Sequence, residues 1–157
     1  QVALTEEKRP SILVLSRQNL PLLRTTAEKN LTKKGAYVIS PAKNKRHATI
    51  IATGSEVSIA IKSQELLYQK GIDVAVVSMP CQELFEEQSL NYQMEVLGTA
   101  PVISVEAGST YGWNRYAQKT IGIDCFGASA PASKLYEHFC LTPSHITEEV
   151  EGFLSQC

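Results

Sequence analysis

Short apolar runs and amphipathic stretches alternate along most of the chain. Ala36 to Ser40, Thr49 to Ala52, Ile72 to Met79, Val102 to Val105 and Ile121 to Phe126 are compact runs bounded by Gly, Pro or polar residues. Continuous runs of this kind, rather than alternating ones, predict strands whose two faces are both covered by helices. Between the second and third runs, Val57, Ala60, Ile61, Gln64 and Leu67 recur at helical spacing. Ser55 stands where an N-cap is wanted, Glu56 lies in the first turn, and Gly71 supplies the stop. Strand, helix and strand in such close succession form a βαβ unit, which requires parallel strands and a right-handed crossover. Further on, residues 82–97 predict a helix of weak periodicity and 110–118 a short one. Ala132 to Phe139 predicts a helix with Pro131 as its first residue, and a last helix opens at Thr142-Pro143 and runs to about Leu154. The expected architecture is a three-layer α/β/α domain over 35–157, with a mostly parallel five-stranded sheet.

The first 34 residues do not share this rhythm. Ser11 to Arg17 has the composition of a buried strand, but Gln18-Asn19-Leu20-Pro21 breaks it. Residues 20–34 lack an apolar face and read as a connecting segment. The run 11–17 is therefore expected to belong to something other than the main fold.

Composition narrows the partners. The 157 residues carry 15 Lys and Arg against 16 Asp and Glu, for a net charge of −1. Nucleic acid or an anionic membrane as a bulk partner would need a basic surplus. The apolar runs are too short to span a bilayer, and no secretory signal opens the chain. The four cysteines form no Cys-x-x-Cys pair and the three histidines are scattered. This predicts no metal site and a reduced, cytoplasmic setting.

Five places are candidates for chemistry. The turn Ala52-Thr53-Gly54-Ser55-Glu56 exposes a helix N-terminus that suits a phosphate, although a capped turn with one glycine is the plainer reading. Glu106, after the fourth run, is placed for acid or base work in a cleft beyond the strand ends, but no titratable partner is visible beside it, and a carboxylate that caps a neighbouring helix or makes a subunit contact is the plainer reading. Tyr111-Gly112-Trp113-Asn114-Arg115-Tyr116 combines three aromatics with an Arg, a mixture that suits a protein interface or a packed core. Arg17, at the end of its run, offers a guanidinium fork to an anion; a solvated surface residue is the plainer reading. Cys81 has no base that spacing would place beside it and reads as inert, and Glu83, Glu86 and Glu87 read as a solvated helix face. No Ser-His-Asp order and no phosphate loop is present in the sequence.

Several longer words occur in a telling order. Leu15-Ser16-Arg17-Gln18-Asn19-Leu20-Pro21, Ile51-Ala52-Thr53-Gly54-Ser55-Glu56-Val57, Val77-Ser78-Met79-Pro80, Glu83-Leu84-Phe85-Glu86-Glu87-Gln88, Val105-Glu106-Ala107-Gly108-Ser109-Thr110 and Phe126-Gly127-Ala128-Ser129-Ala130-Pro131 together resemble the C-terminal part of the transketolases, from about residue 10 to 154. The resemblance implies an enzyme that uses thiamine diphosphate and a divalent metal, Mg or Ca, to move a two-carbon ketol unit between sugar phosphates of the pentose phosphate pathway. It implies a homodimer of three-domain subunits. Residues 1–34 would be the last strand of the pyrimidine-binding domain plus the linker, and 35–157 the C-terminal domain, with its first strand antiparallel. That domain makes dimer contacts and is largely outside the chemistry. The Gly-Asp-Gly metal segment and the cofactor-activating glutamate have no counterpart here, so catalytic, cofactor and metal residues are all expected to lie elsewhere in the parent. One residue carries over: Arg17 matches the family arginine that grips the substrate phosphate, a sound role for a planar fork.

This chain departs from the pattern at Asn114, where the family often has His, and in somewhat shorter stretches before Val102 and Ile121. Two other readings compete. One is a regulatory small-molecule binder using the turns at Gly54 and Gly108. The other is the equivalent domain of deoxyxylulose-phosphate synthase or of a keto-acid dehydrogenase; the Ser-Arg-Gln-Asn and Phe-Gly-Ala-Ser-Ala-Pro words favour transketolase over that one.

Overall fold

A computed structural model describes residues 2–5, 8–24 and 29–156. After a helical turn, α1 (Val2–Thr5), regular structure resumes with a 3-10 turn at Leu31–Lys34. The strands are β1 (Tyr37–Ser40), β2 (Ala48–Ala52), β3 (Val74–Ser78), β4 (Val102–Val105) and β5 (Lys119–Ile121). The helices are α2 (Glu56–Gln69), α3 (Gln82–Glu86), α4 (Leu90–Leu97), α5 (Ala132–His138) and α6 (Pro143–Leu154).

The five strands form one sheet in the order β1-β3-β2-β4-β5. β2 pairs in parallel with both β3 and β4, and β4 with β5. β1 alone runs antiparallel, with Tyr37 opposite Ser78. This is the mixed, mostly parallel sheet that the runs and the resemblance implied. Alternate residues of the central strands face two cores. Ala48, Ile50 and Ala52 of β2, with Val74, Val76, Ile103 and Val105, pack under α2 and α6 against Leu67, Ile146 and Val150. Ile51, Val77 and Val102 point the other way, against Phe85, Val96, Trp113 and Ala117. Strands buried on both faces cannot alternate apolar with polar residues, which is why their sequences read as unbroken runs.

Four expectations need correction, and one run takes no part in the sheet. Residues 11–17 form no strand; Ile12 and Val14 are 90% and 91% exposed. Their composition suits a ladder, but no described residue pairs with their backbone. The fifth strand lies at Lys119–Ile121 rather than 121–126. Gly122 comes so close to the backbone of Gly108 that an added Cβ would sit 2.8 Å from its carbonyl oxygen, and the Ile123 amide donates to that same oxygen at 2.7 Å. The apolar stretch after Ile121 thus bonds to the β4 loop instead of extending the ladder. The helix over 82–97 is two helices, because the Ser89 hydroxyl caps a new start by accepting from the Tyr92 amide. The 110–118 helix shrinks to a 3-10 turn at Trp113–Arg115 behind Gly112, whose φ is +89°. Pro131 stands just before α5 rather than inside it.

Gly35 shows how tightly the chain enters the domain. Its φ is +78°, and a Cβ there would lie 2.1 Å from the Phe85 nitrogen and 2.5 Å from the Cys81 carbonyl oxygen. Only glycine fits the turn that leads into β1.

Candidate functional site

The strand order reverses at β2, whose neighbours on its two sides are reached by crossovers on opposite sides of the sheet. In open α/β sheets the crevice for chemistry lies beyond the carboxyl ends of such strands. Here Ala52 of β2 is level with Val105 of β4, so the turns that follow them, with Glu56 and Glu106, are neighbours.

Glu56 opens α2, yet it is not a solvated first-turn acid. It is 3% exposed. Its Oε1 accepts from the Tyr136 hydroxyl at 2.7 Å and from the Ser55 hydroxyl at 2.7 Å. Ser55 itself is helical and makes no side-chain cap to the backbone. A carboxylate built into the first turn thus already meets the positive end of the α2 dipole, which weakens the phosphate reading of this turn. Tyr136 lies on α5, 80 positions away. Burial, followed by the bond to Glu56, pushes its hydroxyl up to about 12. The same hydroxyl accepts from the Gln18 amide at 3.4 Å. Glu106 stands beside this group, with its Oε1 3.5 Å from where a Gly108 Cβ would be. Burial first, and then the Glu56 carboxylate, raise the Glu106 carboxyl to about 7. Sequence spacing could not pair Glu106 with Glu56, because the pairing comes from strands adjacent in space and not in sequence.

Arg17 reaches this end of the sheet from upstream. It is exposed, and among the described residues its guanidinium has neither a hydrogen-bond nor an ion-pair partner. Ser16 Oγ lies 3.8 Å from the Cβ position of Gly54. A shallow groove of about 300 Å³ separates Leu20, Pro21 and Leu23 from Tyr37, Gly54 and Ser55.

The other candidates divide. Trp113 is buried in the second core and stacks edge-on with Tyr116, which leans on Phe85; Tyr111 is 94% exposed. Tyr116 donates to Glu86, which also pairs with Arg115 at 2.9 Å. Burial, with Glu86 second, holds the Tyr116 hydroxyl well above its ordinary value. Glu86 and Glu87, the latter paired with Arg9, are therefore bonded rather than simply solvated. Burial pushes the Cys81 thiol up, in keeping with an unreactive side chain. Asp124, which the sequence did not single out, ties two loops together. It accepts from the Ser109 hydroxyl at 3.0 Å and from the Thr110 amide and hydroxyl at 2.9 and 2.6 Å.

The family model for the transketolase-like TK C-terminal domain matches residues 35–142. This chain belongs to the transketolase family. The transketolase of Sinorhizobium medicae is 49% identical over 154 residues, covering 95% of this chain and 22% of its own length. The chloroplastic transketolase of Solanum tuberosum is 46% identical, covering 90% of this chain and 20% of its own. Among solved structures, transketolase from Pichia stipitis in complex with sedoheptulose 7-phosphate superposes with a TM-score of 0.81 at 37% identity, over 88% of this chain and 20% of that one. The chain thus spans about a fifth of the length of these relatives. No helix among the described residues is long and apolar enough to cross a membrane.

Proposed function

We propose that this chain is the C-terminal portion of a transketolase that transfers a two-carbon ketol unit between sugar phosphates, and that it serves as a structural and dimer-contact module within that enzyme. The observation that carries the reading is the match at 49% identity across 95% of this chain to a transketolase more than four times as long. Residues 1–34 end the pyrimidine-binding domain and supply the linker; 35–157 form the C-terminal domain. The exposed run Ile12 to Leu15 supports that division, since it has strand composition and no sheet partner within the described chain.

Thiamine diphosphate and its Mg or Ca supply the carbanion chemistry in the parent. Among the described residues no three His, Cys, Asp or Glu side chains gather as a metal would require. We assign the cofactor and its metal to the remainder of the parent, because the Gly-Asp-Gly segment and the activating glutamate that the family uses have no counterpart in this sequence. What this chain contributes to substrate is Arg17. Its free guanidinium can take two phosphate oxygens in parallel, the geometry an ammonium cannot offer. The unpaired thiols of Cys81, Cys125 and Cys140 are consistent with a cytoplasmic enzyme.

In the full-length enzyme, Arg17→Ala is expected to raise KM for phosphorylated sugars by about 10-fold or more, the worth of one charge-assisted fork, and to leave KM for unphosphorylated sugars unchanged. Equal effects on both would remove the phosphate role. The chain alone is expected to show no ketol transfer and no heat of thiamine diphosphate binding; micromolar affinity would overturn the non-catalytic assignment.

A further inference from the structure

The stretch between β5 and the middle of α5 is open to solvent without a break from Asp124 to Lys134, and Phe126 is fully exposed. From Cys125 to Ser133 it carries no charge, and apart from Ser129 and Ser133 its residues are Cys, Phe, Gly, Ala and Pro. None of residues 125–130 is buried, and none forms a hydrogen bond with another described residue. The root of the loop, by contrast, is pinned. Asp124 accepts from Ser109 and twice from Thr110, and the Ile123 amide donates to the Gly108 carbonyl. The same bonds fix the β4 loop, where Tyr111 is also open. Two tied loops thus hold two aromatic rings in water at one rim of the sheet. An apolar patch with a polar border marks a surface for a partner. Rings carried on a rigid base lose little freedom on docking. The absence of charge selects an uncharged partner surface, and the small residues let another backbone come close.

The upstream chain indicates the occupant. Leu20, Pro21 and Leu23 line the groove beside Gly54 and Ser55, Leu23 packs on the core under α2, and Gln18 reaches Tyr136 of α5. The exposed run Ile12 to Leu15 therefore leaves the domain at the rim from which residues 122–131 lead into α5. As the last strand of the preceding domain, that run brings its own sheet to the same rim. We infer that Phe126 and the loop 125–132 dock on an uncharged, apolar surface of the parent's preceding domain and fix the two domains to each other, with Tyr111 at the edge of the contact. The inference rests on the assignment of residues 1–34 to the end of that domain.

Cys125 provides the readout, because its thiol is exposed in this chain and adjoins Phe126. In the native full-length enzyme it is expected to react with N-ethylmaleimide about 10-fold or more slowly than in the urea-unfolded enzyme, as read by peptide mass spectrometry. Phe126→Ser removes no contact within the described chain. It is expected to bring the native rate to within about 3-fold of the unfolded one. A native Cys125 that reacts as fast as the unfolded one, or a rate that Phe126→Ser leaves unchanged, would overturn the docking. Protection that vanishes on dilution through subunit dissociation, with the circular dichroism spectrum intact, would place a second copy on the patch and overturn the assignment to the preceding domain. Ketol transfer assayed on the same preparation separates the two ideas. An active enzyme with an open Cys125 fails the docking inference alone, whereas a full-length protein without ketol transfer fails the transketolase reading itself.

Discussion

Tyr136 on α5 donates its hydroxyl to Glu56 on α2 at 2.7 Å, joining two helices 80 positions apart at the carboxyl end of the sheet. The acceptor is 3% exposed, so the bond satisfies a carboxylate that water barely reaches.

Removing that hydroxyl leaves Glu56 with Ser55 alone. Tyr136→Phe is expected to destabilise the protein by about 1–3 kcal/mol, the range for a hydrogen bond to a buried charged group. Urea unfolding followed by circular dichroism measures it; an unchanged midpoint would show that the bond contributes nothing to stability.

Glu106 governs a pH dependence. Its folded carboxyl titrates at about 7, above the ordinary value of 4.5, because burial and Glu56 disfavour its charge. The folded state therefore holds a proton that the unfolded chain releases. Stability from this group is fully present below about 4.5, falls as pH rises toward about 7, and stays low above it. Glu106→Gln is expected to flatten thermal stability between pH 5 and pH 7.5 and to stabilise the protein at pH 8 by about 1–3 kcal/mol. Melting curves across that range provide the check, and a variant whose pH profile parallels the parent's would contradict it.

Gly35→Ala puts a methyl into the backbone of Phe85 and Cys81 at a positive φ. No side-chain rotation relieves such a clash. The expected loss is about 3 kcal/mol or more, in the range of severe single substitutions. A soluble variant with an unchanged melting temperature would show that α3 moves aside freely.

Asp124 is exposed, so its value lies in order rather than in global stability. Asp124→Ala releases Ser109 and Thr110 together. Amide hydrogen exchange in 108–113 and 122–126 is expected to accelerate while α2 and α6 stay protected. Unchanged exchange in both loops would mean that the Gly108–Ile123 backbone bond already suffices.

The βαβ unit was legible because its information is local. Val57, Ala60 and Leu67 advertise one helix face, and Thr49 to Ala52 and Val74 to Val77 are pure β-branched or small apolar runs. The antiparallel direction of β1 was not in its residues and came only from the resemblance, since a four-residue run carries no orientation. The place of Glu56 in the first turn of α2 was legible, but its burial and its partner were not, because any Glu in a first turn looks the same until its partner is known, and Tyr136 is too distant for spacing to reveal it. Ser11 to Arg17 shows a different limit. The residues are right for a strand, but a strand exists only with a neighbour to bond.

The reversed direction of β1 has a geometric corollary. Because Tyr37 sits opposite Ser78, the last residue of β3, the upstream chain is delivered to the same rim of the sheet as Gly54, Glu56 and Glu106. A first strand running with its neighbours would have brought that chain in at the far rim, about 16 Å away for a five-residue strand. One inverted edge strand thus opens the domain at the carboxyl rim of its sheet, where Ser16 lies beside Gly54.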